Sequence, residues 1–249
     1  MSRRNLVFLV LSILVAAGCV RLWFWQLSRH RERVGRNALV EARLREQPVD
    51  VARLPRDTAA LRFRRATATG EPLYDREIVL AARVHRGSPG VHILTPLRIA
   101  GTDSLLLVNR GWAYSPDGAT VDLAKWREWE GPVSLSGFVE PIPEVPSAVV
   151  TGRERTLRRL HRTDVERLAG GPVLSYYLVT TDRSARTGTD ALARVEPPAL
   201  DEGSHFSYAM QWFSFAAIAL VGGALVTRRT PRSPTADAAE RSVRFMRRG

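Results

Sequence analysis

His205 opens an apolar stretch, and the residues that follow it have the spacing of one helix face. In a helix, His205, Tyr208 and Trp212 lie on the same side, because side chains three and four positions apart are neighbours. A neutral imidazole ligates haem iron, and flat aromatic side chains suit a planar macrocycle. The pattern is therefore compatible with a haem-type site. The residues alone favour a more ordinary interpretation, an aromatic belt at the lipid headgroups that includes a histidine.

Another apolar stretch, near the N-terminus, also ends in aromatic and polar side chains, among them Trp25 and Gln26. Arg29 follows that stretch closely and can pair with the acidic propionate groups of a haem. His30 is the other histidine of this region, and we expect it to stay solvated because charged residues surround it. If both stretches cross a membrane, their ends meet at one level. The candidate cofactor-binding residues are therefore His205, Tyr208, Trp212, Trp25, Gln26 and Arg29.

Both apolar stretches are long enough to span a bilayer. Residues 6–27 contain one charge, Arg21, and residues 206–226 contain none. A membrane-spanning helix needs about 20 such residues. We therefore predict a membrane protein with two transmembrane helices that flank one domain. The predicted segments are a cytoplasmic N-terminus (1–5), a first helix (6–27), an extracytoplasmic domain (28–203), a second helix (204–226) and a basic, disordered tail (227–249).

The charges that flank the second stretch predict its orientation. Arginines dominate the tail after Val226, whereas Asp201 and Glu202 precede the stretch on the other side. The positive-inside rule then places both termini in the cytoplasm and the domain outside. No amphipathic presequence precedes Leu6, which favours the inner membrane of a bacterium over import into an organelle.

Cys19, the only cysteine, allows one alternative for the N-terminus. Residues 16–19 resemble a lipoprotein cleavage signal, after which a lipid on Cys19 would replace the helix. Ala16 stands where such signals prefer leucine, and the sequence after Cys19 continues apolar instead of becoming a polar linker. Both features favour an uncleaved helix.

The intervening domain has the pattern of a β-rich fold. Alternating or apolar runs predict strands, and clusters of glycine, proline, serine and aspartate between them predict turns. In the first run, residues 77–86, we expect Ile78, Leu80, Ala82 and Val84 to share one face. Thr163 is the expected cap of a short helix that ends at Gly170-Gly171. The spacing predicts an antiparallel sheet or small barrel, and the whole chain a membrane protein of the α+β class. The remaining strands are predicted at residues 91–95, 104–112, 131–140 and 173–181.

Two histidines flank the predicted turn at residues 87–90. If that hairpin closes symmetrically, His85 and His92 lie opposite each other, roughly 5 Å apart at Cβ. Two ligands do not complete a zinc or copper site, so two histidines near a turn are the favoured interpretation.

Several classes of function lack their sequence signatures. No phosphate-binding loop, dinucleotide fingerprint, nucleophile elbow or zincin motif is present, so we expect no enzymatic activity. The net charge of +12 invites a nucleic-acid partner, but no DNA- or RNA-binding motif accompanies it. We therefore expect no nucleic-acid partner.

Five short strings, in this order along the chain, resemble one protein family, the Surfeit locus protein 1 family, which includes the Shy-type proteins. The resemblance extends from Trp25 to Val226. The strings are Trp25-Gln26-Leu27 with Arg29, Tyr74-Asp75, Gly90-Val91-His92-Ile93-Leu94-Thr95-Pro96-Leu97, Leu107-Val108-Asn109-Arg110-Gly111-Trp112, and His205-x-x-Tyr208-Ala209-x-Gln211-Trp212-Phe213.

The resemblance implies a non-enzymatic assembly factor for cytochrome c oxidase that helps to mature the haem a centres of the large catalytic subunit. The implied partners are that subunit, haem a synthase and the bilayer. The resemblance also implies that His205 ligates the iron of haem a. The alternative is a membrane-anchored periplasmic scaffold, or a β domain that binds copper or a partner peptide without haem.

Overall fold

The computed structural model describes residues 3–55, 61–144, 153–182 and 191–228. These residues form two compact units, one of residues 3–37 with 201–228 and the other within residues 38–200. The part of the predicted tail that follows Arg228 lies outside the described residues. The helices are α1 (Arg3–Arg45), α2 (Arg162–Ala169) and α3 (His205–Arg228). The strands are β1 (Val49–Asp50), β2 (Arg65–Pro72), β3 (Ile78–His85), β4 (Ser88–Ile99), β5 (Leu105–Tyr114), β6 (Val133–Pro141), β7 (Thr156–Leu157) and β8 (Val173–Thr180).

Five strands of the sheet close into a ring, which confirms the predicted small barrel. The strand order is β1-β2-β6-β8-β5-β4-β3-β7, and β2 also pairs with β4 at Gly70–Pro72. The closed ring is therefore β2, β6, β8, β5 and β4. The prediction of a purely antiparallel sheet is wrong, because β5 and β8 run parallel, as do two pairs that involve the two-residue strands.

The central strand β5 is covered on both faces, which explains its continuous apolar run. Leu106 and Val108 pack with one group of buried side chains, drawn from β2, β4, β6 and β8. Leu105 and Leu107 pack on the other side, in a group that includes residues of α2. Strands buried on both faces read as unbroken apolar sequence, and such strands can accept a parallel neighbour.

The predicted alternation along β3 is wrong in its second half because the strand contains a bulge. The register with β4 shifts between Leu80 and Arg83, and Ala82 has a positive φ of 58°. The Ala82 N–H donates to Gly118 O at 2.7 Å instead of to β4. A bulge moves the following side chains to the opposite face. Ala82 and Val84 are consequently exposed.

The hairpin between β3 and β4 has a tighter turn than predicted. Arg86 and Gly87 both have positive φ, 49° and 82°, as a two-residue type I′ turn requires. His85 therefore pairs with Ser88, and His92 pairs with Leu80. The predicted arrangement, in which His85 and His92 lie opposite each other, is wrong.

The ends of the helices follow local chain chemistry. Helix α1 ends at Arg45, three residues before Pro48, which cannot continue a helix. Helix α2 ends as predicted, with Gly170 in the left-handed conformation. Its predicted cap is wrong, since His161 occupies the N-cap and Thr163 lies within the helix.

Helices α1 and α3 form an antiparallel pair in the first unit. Ser12 contacts Gly223, and Gln26 contacts His205, so the two helices run in opposite directions. Both helices are long and apolar enough to cross a membrane by length and composition, and most of their apolar surface is exposed. Apart from Leu27, the withdrawn side chains of α1 up to residue 37 recur at alternating intervals of three and four residues, as in a coiled coil. They are Asn5, Leu9, Ser12, Ala16, Cys19, Trp23, Gln26, His30, Arg33 and Asn37.

Small side chains on α3 allow this close packing. Ala209, Ala216 and Gly223 are its buried residues, spaced seven apart. A Cβ on Gly223 would lie 2.9 Å from Ser12 Cβ, so the backbones approach too closely for a larger residue. Small residues at such contacts are typical of helix pairs in membranes. We call this line of contact the seam.

Candidate functional site

The seam brings together two of the predicted site residues, His205 and Gln26. The Nδ1 atom of His205 lies 2.8 Å from Gln26 Oε1, although 179 positions separate them in the chain. His205 is the first residue of α3, and its side chain is half-buried. The contact places an imidazole where α3 begins, facing α1.

The aromatic side chains of α3 occupy two different flanks of the helix pair. On one flank, the ring of Phe213 lies 5.8 Å from that of Trp23, and Phe206 lies 5.6 Å from His30. Tyr208 and Trp212 follow His205 at helical spacing and lie on the opposite side of α3 from Phe206 and Phe213. They therefore define a second flank, beside His205, which we call the Tyr208 flank.

Side chains of different exposure line the Tyr208 flank. Trp212 is half-buried against the seam and meets Phe215 edge-on at 5.8 Å. Tyr208 is 48% exposed. On α1, Arg29 also falls on the Tyr208 flank, because helical spacing turns it from Gln26 away from the flank that holds Phe206 and Phe213. A flat apolar surface with a polar edge therefore adjoins the imidazole.

Two further predicted residues are less closely tied to His205. Arg29 pairs with Glu32 at 2.8 Å, and its side chain is half exposed. Trp25 precedes Gln26 by one residue, which turns it about 100° away around the helix. It is 51% exposed, on the face of α1 that it shares with Arg29 four residues later.

His30 lies in the seam, contrary to the expectation that it stays solvated. Its side chain is only 17% exposed, and its Nε2 lies 4.0 Å from Glu202. Its Nδ1 is buried and has no hydrogen-bond partner among the described residues. The alternating spacing of three and four residues along α1 is the sequence signal that identifies His30 as a seam residue.

Polar contacts continue the seam beyond His205. Asp201 accepts hydrogen bonds from Arg33 at its backbone carbonyl and its carboxylate, at 3.0 and 2.9 Å. Asn37 donates to the same carbonyl at 2.9 Å. These contacts hold the segment that leads into α3 against α1.

The other motif residues form a separate cluster on β4 and β5. Asn109 contacts His92 at 3.1 Å, between Nδ2 and Nδ1, and accepts from the Gly111 N–H at 3.1 Å. Gly90 lies directly under the indole of Trp112, so a Cβ there would collide with the ring. The His85 ring lies 5.2 Å from that of Trp112, tilted by 36°. This arrangement explains the Gly-Val-His and Asn-Arg-Gly-Trp strings as two parts of one packing unit.

Burial lowers the pKa of His92 to about 4, and the charges of Arg83 and His85 act in the same direction. His92 is therefore neutral at physiological pH. Within the described residues, no group of three or more histidine, cysteine, aspartate or glutamate side chains is arranged to hold a metal ion.

Comparisons with known proteins agree with the resemblance noted from the sequence. A protein-family model described as the SURF1 family matches residues 13–217. A SURF1-like protein of Monosiga brevicollis is 27% identical over 226 residues, which is 82% of each chain. An uncharacterized SURF1-like protein of Mycobacterium bovis is 26% identical over 80% of this chain and 73% of its own. A SURF1-like protein of Rickettsia bellii is 24% identical over 81% of this chain and 83% of its own.

Proposed function

Since this chain belongs to the SURF1 family, the Surfeit locus protein 1 family, we propose that it is an assembly factor for cytochrome c oxidase. It holds haem a through His205 while the large catalytic subunit of the oxidase receives it. The role is non-enzymatic. Haem a is cargo here, and its redox chemistry belongs to the oxidase.

The proposed location is the inner membrane of a bacterium. Helices α1 and α3 cross the bilayer, both termini lie in the cytoplasm, and the sheet domain lies outside. The apolar surfaces of the two helices support this placement. Their exposed apolar side chains would be unfavourable in water, and about 20 such residues match the thickness of a bilayer. The acidic flank at Asp201-Glu202 and the arginine-rich tail support the orientation.

The contact between His205 and Gln26 carries the haem proposal. A histidine binds a metal through one ring nitrogen and almost always donates the N–H of the other to a hydrogen-bond partner. His205 Nδ1 is engaged by Gln26, whereas no described hydrogen bond engages Nε2. Tyr208 and Trp212 supply flat apolar surface beside the imidazole. Arg29 can exchange its exposed partner Glu32 for a propionate. These residues fit the chemistry of a haem.

The chain's own task is then to bind, orient and release. The seam holds His205 at the entry of α3, where a partner within the bilayer can approach from the side of Tyr208. The partners that fit this geometry are the large catalytic subunit of the oxidase and a haem a synthase that supplies the cargo. Release would be easy, because one histidine and exposed aromatic side chains would hold a haem less firmly than an enclosed pocket does.

The experiment compares two histidines of the same interface. The wild type, His205→Ala and His30→Ala are co-produced with haem a, purified in detergent, and their Soret absorption is recorded per mole of protein. We expect His205→Ala to lose the band at normal expression, and His30→Ala to keep it. Loss in His30→Ala alone would transfer the ligand role to His30. A wild type without any Soret band would contradict haem binding.

A scaffold without haem is the remaining alternative for the same family. In that case oxidase assembly would fail when the gene is deleted, and the His205→Ala protein, expressed in the deletion strain, would restore assembly fully. The copper alternative has less support, because His85 and His92 do not pair across the hairpin and no third ligand accompanies them among the described residues.

A further inference from the structure

We propose that Gln26 is a positioning residue that holds the His205 imidazole in its Nδ1–H tautomer. Nε2 is thereby left as the one ring nitrogen with a lone pair. The tautomer follows from the Gln26 amide oxygen that faces Nδ1. Only the identity of the group that Nε2 binds rests on the proposed function.

The tautomer follows from the chemistry of the two contacting atoms. Gln26 Oε1 is a carbonyl oxygen and can only accept a hydrogen bond. His205 Nδ1, at 2.8 Å, must therefore donate. A neutral imidazole carries a single N–H, so a proton on Nδ1 leaves Nε2 unprotonated. A metal ion needs that lone pair.

The seam prevents Gln26 from turning away from His205. Trp23 and His30, three residues before and four after, both contact aromatic side chains of α3. Rotation of α1 about its axis would break these contacts. On α3, the buried Ala209 lies one turn after His205 and lets the helices approach at this level. Packing on both sides therefore keeps the side-chain amide of Gln26 against Nδ1, and its oxygen is the atom in contact.

The sheet domain contains an amide–imidazole contact of the opposite sense. Asn109 Oδ1 accepts from the Gly111 N–H, so its amide nitrogen faces His92. That nitrogen donates to His92 Nδ1 at 3.1 Å, and the proton of the neutral ring must then lie on Nε2. One chain thus holds two histidines in opposite tautomers, and of these two only His205 has its lone pair on Nε2.

Ligand chemistry gives this arrangement a purpose. A histidine that ligates a metal usually donates its other N–H to an oxygen, which fixes the ring and makes the ligating nitrogen more basic. Loss of such a partner typically costs about 10–100-fold in metal affinity. Gln26 occupies the place of that partner and does not itself touch the metal.

The first test is made on haem-free protein in detergent, with ¹⁵N-labelled histidine. Ring ¹⁵N chemical shifts are recorded about two pH units above the ordinary histidine pKa of about 6.5, where imidazoles are neutral. We expect Nδ1–H for His205 and Nε2–H for His92, which serves as the internal reference. Gln26→Leu should move His205 to the Nε2–H form or a mixture, and Gln26→Glu should retain Nδ1–H. Gln211→Leu makes the same chemical change at an exposed position of α3 and should leave His205 unchanged.

A second test measures the consequence for ligation by titration with ferric haem. Gln26→Leu should weaken binding about 10–100-fold, while Gln26→Glu and Gln211→Leu stay close to the wild type. Gln26→Glu should also lower the midpoint potential, because a carboxylate is the stronger acceptor. Unchanged Cys19 labelling with a thiol reagent verifies that each variant keeps the helix pair.

The two tests distinguish a failure of the positioning role from a failure of the haem proposal. Nε2–H on His205 in the wild type, or no change in Gln26→Leu, would overturn the positioning role whatever binds there. The expected tautomers in a wild type that binds no haem would leave Gln26 as the positioning residue and contradict the haem proposal instead.

Discussion

The Nη1 atom of Arg110 lies 3.0 Å from Glu77 Oε1, and both side chains are almost completely excluded from solvent. The Thr95 hydroxyl donates to the same carboxylate oxygen at 2.6 Å. The Trp129 ring lies 4.6 Å from the guanidinium. Burial raises the pKa of the Glu77 carboxyl, while the Thr95 hydrogen bond and the Arg110 charge oppose that rise. The arginine of the Asn-Arg-Gly-Trp string is therefore an internal, paired residue of the domain.

Removal of Arg110 should destabilise the sheet domain severely. Arg110→Leu leaves Glu77 buried without its cation, which costs about 3–5 kcal/mol in the free energy of unfolding. Urea unfolding of the full chain in detergent, followed by tryptophan fluorescence, measures the loss. Arg98→Leu removes an exposed pair with Glu71 and should cost less than about 1 kcal/mol. The double variant Arg110→Leu/Glu77→Leu should recover part of the loss, because Arg110 also pairs with Glu128 at 3.3 Å. Equal losses in the Arg98 and Arg110 variants would contradict the buried pair.

Gly111→Val should deplete the folded protein. Gly111 has a φ of 142°, which side chains resist, and an added Cβ would lie 2.7 Å from Ala193 O. Gly171 has open space at its Cβ position, so Gly171→Val is the matched control. Protease resistance and yield in the membrane fraction measure the outcome. Normal accumulation of Gly111→Val with failed oxidase assembly would instead make this string an interaction site.

The sheet domain should lose stability in mild acid through His92. The unfolded chain binds a proton at this residue near pH 6.5, whereas the folded domain does so only near pH 4. The stabilisation is therefore complete above about pH 6.5 and declines as the pH falls towards 4, by about 3 kcal/mol at most. His92→Gln cannot titrate and should flatten this part of the profile of unfolding free energy against pH. His85→Gln should keep it, and a wild-type profile that is flat between pH 4 and 6.5 would refute the prediction.

A larger residue at Gly223 should separate the two helices. Gly223→Leu places its side chain against Ser12, whereas the adjacent Gly222 has open space at its Cβ position. Cys19, the only cysteine, is buried in the seam and reports on the separation. We expect faster labelling of Cys19 by N-ethylmaleimide in detergent for Gly223→Leu, and the wild-type rate for Gly222→Leu. Equal rates in all three proteins would show that the seam tolerates a larger side chain.

Alkaline phosphatase fusions test the orientation, because this enzyme matures only outside the cytoplasm. A fusion after Ala119, in the sheet domain, should be active, and a fusion after Gly249 should not. Immunoblots of both fusions control for expression. The reverse pattern would place the domain in the cytoplasm and end the proposed localisation.

The amino-acid sequence alone determined the features that depend on neighbouring residues. Apolar length predicted both long helices, alternating or apolar runs bounded by turn residues predicted five of the eight strands, and Gly170 predicted the end of α2. The spacing of the seam residues along α1 is also local, since every third or fourth side chain of a helix returns to one face. The sequence further contained the strings that identify the family.

Tertiary structure alone decided which distant residues meet. Ring closure between β2 and β4, the parallel placement of β8 beside β5, and the bulge at Ala82 all depend on partners elsewhere in the chain. Periodicity shows which face of a strand a side chain occupies, but a shift of one residue in the strand register moves it to the other face. The histidines of the β3–β4 hairpin therefore could not be placed from their spacing. Arg110 lies 33 positions from Glu77, and Gln26 lies 179 from His205. No local pattern encodes such pairs, because they form only when packing brings two separate elements into contact.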